Sequence, residues 1–122
     1  QERIALYALS TLVASAAFFF AGFAIETVWP PRVGLPRTLG RPDALFHLAT
    51  CAVLLLMWVL ARQRGLWSAA LHATDGVGTI AAFGLFACMA ASLPAAFRPE
   101  QLYLLIAITI LLFRAAIVPT GS

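Results

Sequence analysis

Few side chains in this sequence could carry chemistry, and the most unusual of them is Asp75. It is the one acid that lies well inside a hydrophobic segment, the stretch of residues 67–93. A carboxylate at that depth in an apolar helix needs a counter-ion, a proton or a water-filled cavity. His72 precedes Asp75 by three residues, so the two side chains can share a helix face and form a proton-responsive pair. The alternative interpretation of His72 is an interfacial histidine that hydrogen-bonds locally.

Arg114 is the candidate counter-ion, because it lies at a similar depth in the next hydrophobic segment. At about 1.5 Å per residue, Asp75 lies about 27 Å from the end of its segment near Leu93, and Arg114 lies about 23 Å from Pro99. The short link at 94–99 should make the two helices neighbours. The sequence therefore predicts an intramembrane ion pair between Asp75 and Arg114. In the alternative interpretation, Arg114 extends alone to the membrane surface.

The same count along the helices separates the two histidines and the two cysteines. Measured from Gly65, His47 lies about 27 Å away and His72 about 10 Å away, so the pair does not suit the axial positions of one haem. Cys51 and Cys88 lie about 21 and 35 Å from the same point, whereas the Cα atoms of a disulfide lie about 5–6 Å apart. A disulfide between them is not expected, and His47 is interpreted as a polar residue at the membrane surface.

Composition indicates an integral membrane protein. Of the 122 residues, 62% are hydrophobic and 11% are charged, and the mean hydropathy is +0.94. Soluble domains are about half apolar and about a quarter charged. All eight basic residues are arginines, and most of them stand at the ends of apolar runs, where they can contact lipid headgroups. The net charge of +3 therefore favours a lipid partner over nucleic acid.

Four apolar segments predict an all-α fold, an integral membrane four-helix bundle that occupies residues 1–122 as a single domain. The order is expected to be up-down-up-down with both termini on one side. Loops are short except the first, at 27–42, which is rich in proline and arginine. Arginines number four on each side, so only the basic turn at 62–65 favours cytoplasmic termini. The helices are expected at about 4–25, 43–62, 67–93 and 100–118.

Small residues recur at every fourth position of the third segment, which predicts a face for close helix packing. The stripe breaks at Phe86 and resumes at Ala90. Its members are Ala70, Thr74, Gly78 and Ala82.

The other segments carry weaker packing signals. Tyr7 and Trp29, near the two ends of the first segment, match the aromatic belt of membrane helices. In the second segment, the run 54–58 is uniformly apolar, as expected for a span that faces lipid. A packing face of the first segment is predicted at Ser10, Ala14, Ala17 and Ala21.

Motifs of enzymes and cofactor sites do not occur in the sequence. It contains no GxSxG, no paired carboxylates, no glycine-rich phosphate loop, and no CxxC or HExxH. The segment centres carry few of the polar groups that a transporter requires. We therefore expect neither catalytic residues nor a cofactor or metal.

Residues 62–78, RQRGLWSAALHATDGVG, and 113–122, FRAAIVPTGS, resemble the N-terminal membrane region of large bacterial serine/threonine protein kinases of the myxobacterial type. In that family a helix tends to end in an Arg-Ala-Ala-hydrophobic-Val-Pro-Ser/Thr run, which here starts at Arg114. The resemblance implies further helices, a cytoplasmic kinase domain and a place in the bacterial inner membrane. The kinase's own motifs are absent from this chain, so no catalytic residue is carried over.

These features lead to the hypothesis of a non-enzymatic membrane anchor or sensor region that tethers a cytoplasmic effector such as a kinase. Its expected partners are the lipid bilayer, a downstream cytoplasmic domain of the same chain and a second copy of the chain. The ends at Gln1 and Ser122 suggest a fragment of a longer protein. The alternative is a small carrier or electron-transfer subunit that uses Asp75, His72 and Arg114.

Overall fold

In the residues that it describes, the structure, a computed structural model, has helices as its only regular secondary structure, which confirms the predicted all-α class and the number of helices. Each helix bound that can be compared lies within three residues of its prediction. The described residues are 1–29, 40–63, 65, 67–93 and 99–117, without the side chains of residues 99 and 102. The helices are α1 (Glu2–Val28), α2 (Pro42–Arg62), α3 (Ser68–Ala91) and α4 (Pro99–Ile117).

Local sequence explains where the helices begin and end. Helix α1 runs past its predicted end, and the Thr27 hydroxyl donates to the Phe23 carbonyl inside it. The predicted first loop is therefore shorter, and most of it, residues 30–39, lies outside the described residues. Helix α2 starts at Pro42, whose fixed φ and missing N–H suit a first turn. After α2, Gly65 has φ +98°, the left-handed conformation that was expected there.

Each helix packs against two others. Helix α2 packs against α1 and α3, and α4 also packs against α1 and α3. The shared core is formed by buried apolar side chains, namely Tyr7, Ala8, Leu54, Met57, Ala82, Phe86, Met89 and Ile110.

Of the predictions about helix faces, one holds only in part and one is wrong. In the run 54–58, Leu54 and Met57 are buried in the core while Leu55 and Leu56 are exposed, because a helix turns residues three apart to the same side. In α1, Ala14, Ala17 and Ala21 are exposed. The face of α1 that is buried instead consists of Ile4, Ala5, Tyr7, Ala8, Thr11, Ser15 and Phe19.

The small-residue stripe of α3 packs most closely at Gly78, against Met57 of α2. Gly78 and Ala82 are buried, and Ala70 and Thr74 are half-buried. A Cβ atom added to Gly78 would overlap the sulfur and Cγ of Met57. Phe86, the predicted break, is also buried, so the buried face of α3 continues through it.

We expect Gly78→Ala to lower the free energy of unfolding. Met57 is only 2% exposed, so it has little room to move away, and overpacking costs about 1–3 kcal/mol. The matched controls are Gly76→Ala and Gly84→Ala in the same helix, where an added Cβ meets no atom within 4 Å. These should raise stability by up to about 1 kcal/mol through helix propensity. Equal effects of all three substitutions on detergent-induced unfolding, followed by circular dichroism, would contradict close packing at Gly78.

The outer surface of the described helices is strongly apolar. Phe20, Val77, Ile80 and Leu112 are each more than 60% exposed. Helices α1, α2 and α3 are long and apolar enough to cross a membrane, whereas the apolar part of α4, Tyr103–Ile117, is shorter.

Candidate functional site

Asp75 and Arg114 form an ion pair that joins α3 to α4. The Arg114 Nη2 donates to the Asp75 Oδ2 over 2.5 Å. The Asp75 side chain is 6% exposed and the Arg114 side chain 31%. The two residues are thus in contact, as the comparison of their depths predicted, and the carboxylate is the more deeply buried partner.

Tyr7 of α1 and Thr79 of α3 lie beside this ion pair. Tyr7 is 1% exposed and lies close enough to both charges to interact with them electrostatically. Thr79 follows Asp75 by one helical turn and approaches the Tyr7 side chain, although its hydroxyl makes no well-aligned hydrogen bond among the described residues. Three helices therefore bring polar groups to one buried position.

Several polar atoms at this position have no hydrogen-bond partner among the described residues. They are Asp75 Oδ1, Thr79 Oγ1 and Arg114 Nε, and all three are inaccessible to solvent. Buried polar groups are usually paired, so a group of unpaired ones calls for an explanation. The ion pair therefore holds α3 and α4 together, while three polar atoms beside it stay unpaired in the interior among the described residues.

Tyr7 was not predicted to belong to this site, because its place near the end of α1 suggested the aromatic belt. A usable signal was present. Tyr7, Thr11 and Ser15 are spaced four residues apart and lie on one helix face, and all three are buried. In an otherwise apolar segment, such a row of hydroxyls indicates the buried face of the helix.

His47 is buried among three helices, which the sequence did not predict. It is 4% exposed, and its ring packs against Phe19 and Phe86 with centroids 5.0 and 5.9 Å away. The His47 Nε2 lies 2.9 Å from the Ser15 carbonyl oxygen and 3.0 Å from the Ser15 hydroxyl. Since a carbonyl can only accept, Nε2 carries the proton. The Nδ1 lies 3.4 Å from the sulfur of Met89, so His47 joins α2 to both α1 and α3.

Two further polar contacts lie in the first half of α2 and just before it. Asp43 is 3% exposed, and its Oδ1 accepts from the Arg41 Nε over 2.9 Å. The thiol of Cys51 donates to the Ser15 hydroxyl over 3.7 Å. Polar groups therefore occur in the interior at two levels, around Asp75 and around His47.

His72 does not join either group, which corrects the interpretation of a proton-responsive pair with Asp75. Its side chain is exposed, and no hydrogen bond or ion pair connects it to Asp75, whose one such contact in the described part of the chain is Arg114. A separation of three residues leaves side chains about 60° apart around the helix axis. That angle is large enough for Asp75 to face the core while His72 faces the outside of the bundle. The carrier hypothesis, which needs His72, thereby loses one of its three residues.

The remaining candidates are not brought together into a site. Cys51 and Cys88 are free, the first half-buried and the second exposed. Among the described residues, no group of three histidine, cysteine, aspartate or glutamate side chains could hold a metal ion.

No protein-family model, no curated protein and no solved structure matches this chain. The resemblance to the membrane regions of bacterial kinases therefore stays a prediction.

Proposed function

We propose that the chain is an integral membrane bundle of four helices that anchors a cytoplasmic effector. The observation that carries the membrane location is the inverted distribution of polarity. Ionic and hydrogen-bonding side chains such as Asp75 and His47 face the interior, while Phe20, Ile80 and Leu112 face outward. In water the exposed residues would form large apolar patches, which soluble monomers rarely expose. In a bilayer they meet acyl chains.

Contacts between helix ends support an alternating, up-down-up-down order. The Gln1 side chain donates to the Gln63 carbonyl over 2.7 Å, so α1 begins where α2 ends. His47, early in α2, contacts Met89, late in α3. Asp75, in the first half of α3, pairs with Arg114, which lies near the end of α4.

Residues suited to the membrane surface lie at the helix ends. Trp29 and Trp67 are 76% and 75% exposed, as expected for aromatic side chains at the headgroup level. An open cavity of about 670 Å³ beside the start of α1 and the end of α2 is lined partly by Arg3 and Arg62. Guanidinium groups at that level can bind lipid phosphates.

The anchoring role follows from what this interior can do. An ion pair and a histidine junction hold the helices together, as an anchor requires. In a sensor, a change in the packing of these helices would be transmitted to the effector. Together with the resemblance to kinase membrane regions, this favours a region of a bacterial inner-membrane signalling protein with cytoplasmic termini. A second copy of the chain is a candidate partner through the outer apolar faces.

A lysine at Ile80 tests the membrane location. Ile80 is 74% exposed at the middle of α3, where a lysine costs about 2.5–3.5 kcal/mol in a bilayer. We expect Ile80→Lys to lower the ratio of inserted to uninserted chain by more than tenfold, measured by flotation with liposomes after cell-free synthesis. The control is Val28→Lys at the last residue of α1, where Val28 is 67% exposed and a lysine can reach the membrane surface. If the chain stays soluble without lipid and Ile80→Lys folds normally, the proposal fails.

The tethering role is tested separately, by the nucleotide sequence of the gene. We expect the reading frame to continue beyond the codon for Ser122 into a cytoplasmic signalling domain such as a kinase or a cyclase. A stop codon directly after Ser122 would contradict tethering by the same chain, whatever the result of flotation.

A further inference from the structure

The open cavity between the start of α1 and the end of α2 combines two arginines with an apolar wall. Arg3 belongs to α1 and Arg62 to α2, and both residues are exposed. The cavity has a volume of about 670 Å³, which lies within the range of about 300–1,000 Å³ that is usual for ligand sites. The Gln1 side chain donates to the Gln63 carbonyl over 2.7 Å, so both arginines lie at the same end of the bundle.

The charge of this lining favours an anion. Neither Arg3 nor Arg62 forms an ion pair with another described residue. Glu2 also lines the cavity, and it likewise has no ion pair with a described residue. The lining side chains therefore carry two positive charges against one negative charge, and all three belong to exposed residues that a ligand can reach.

Trp58 holds the guanidinium group of Arg62 at the cavity wall. The guanidinium carbon lies 5.5 Å from the centroid of the Trp58 ring, within the range of a cation–π contact. Because Trp58 lines the same cavity, this contact positions the guanidinium before a ligand arrives and lowers the entropy cost of binding. A guanidinium can donate two parallel hydrogen bonds to a phosphate, so phosphate is the anionic group that suits this position best.

The apolar part of the lining extends from the arginines toward the middle of the bundle. Leu6 and Leu9 are 56% and 38% exposed, and they lie about 4.5 and 9 Å further along α1 than Arg3. The small side chains of Ala5 and Ala61 are buried beneath them, which leaves a recess between the two helices. The lining therefore fits a molecule with a phosphate at the helix ends and an apolar chain that runs into the membrane.

We propose that this cavity binds one anionic phospholipid, with its phosphate between Arg3 and Arg62 and an acyl chain along Leu6 and Leu9. A zwitterionic headgroup is disfavoured, because it brings an ammonium group toward two guanidinium groups. The bound lipid contacts both helices and so holds the start of α1 against the end of α2. The proposal rests on the membrane location proposed above but not on tethering. Flotation tests that location independently, so a failure of lipid binding and a failure of membrane insertion are distinguishable.

Binding is tested by native mass spectrometry of the purified chain in neutral detergent, with dioleoylphosphatidylglycerol as the probe. We expect saturable binding that approaches one lipid per chain. Dioleoylphosphatidylcholine has the same acyl chains and a zwitterionic headgroup, and it should bind about fivefold more weakly. A large excess of inorganic phosphate should not displace the lipid, because a free phosphate lacks the chain that covers Leu6 and Leu9.

Variants of the charged residues distinguish a site from general attraction to a basic protein. Arg3→Gln and Arg62→Gln should each weaken binding of phosphatidylglycerol about fivefold, the effect of one basic side chain near an anionic lipid, and together about 25-fold. Glu2→Gln should strengthen it, because a negative charge leaves the lining. The matched control is Arg41→Gln, which removes the same charge just before the start of α2, about 30 Å from Arg62. Its affinity should equal that of the unmodified protein.

Thermal unfolding separates loss of the site from damage to the fold. Without added lipid, the variants Arg3→Gln and Arg62→Gln should unfold at the same temperature as the unmodified protein, because both arginines are exposed. Phosphatidylglycerol should raise the unfolding temperature of the unmodified protein and should not raise that of the double variant. Equal binding of the two lipids, displacement by inorganic phosphate, weaker binding in Glu2→Gln, or a loss in Arg41→Gln equal to that in Arg62→Gln would each overturn the proposal.

Discussion

Replacing Arg114 by Gln should lower the free energy of unfolding by about 3 kcal/mol, because it leaves the Asp75 carboxylate buried without a counter-ion. Asp75 cannot turn to water, since its side chain is only 6% exposed. Asp75→Asn should cost less. It removes the buried charge itself, and the partly exposed Arg114 can then extend its long side chain toward the membrane surface. Reversible unfolding in mixed micelles, followed by circular dichroism, measures both effects.

The double variant decides whether the pair acts as a unit. We expect Asp75→Asn with Arg114→Gln to be more stable than the sum of the single changes predicts, by about 1–3 kcal/mol. Arg62→Gln serves as the control. Arg62 is an exposed arginine at the end of α2, and its loss should change stability by at most about 0.5 kcal/mol. Additive effects of the two single substitutions would show that the contact contributes nothing to the fold.

His47→Ala is expected to have an effect of similar size, about 3 kcal/mol. The substitution removes the hydrogen bond to the Ser15 carbonyl and leaves a cavity between Phe19 and Phe86. It also separates α2 from both of its neighbours at one level of the bundle. The same unfolding assay measures the effect.

The chain contains its own control for this experiment, because its other histidine is exposed. His72→Ala should change stability by no more than about 0.5 kcal/mol. His47→Gln keeps an N–H donor and much of the volume, and it should recover part of the loss. Equal effects of the two alanine substitutions would contradict the buried junction, and no recovery in His47→Gln would assign the loss to packing alone.

The positions of residues along each helix were predictable from the sequence. Apolar runs ended by Pro42 and Gly65 located the helices. Counting residues at a constant rise then placed Asp75 and Arg114 at one level, where the structure has them in contact. The same count predicted that His47 and His72 lie at different levels along the bundle.

The direction in which each residue points around its helix was not predictable in the same way. Amphipathic helices reveal their buried face by the period of polar and apolar residues, but in these segments polar residues are few and apolar residues occur on every face. The prediction consequently failed for α1, where Ala14, Ala17 and Ala21 are exposed. It failed also for Tyr7 and His47, which are buried.

Every residue of an α-helix adds the same rise along the helix axis. The sequence alone therefore determines how long each helix is and how far along it each charged side chain lies. The rotation of each helix about its own axis depends on which side chains pack well against the neighbouring helices. Met57 against Gly78 and His47 against Ser15 are two such contacts. These fits join residues that are far apart in sequence. Only the assembled helices decide them, because small differences in shape and a few buried hydrogen bonds select one face among several of equal hydropathy.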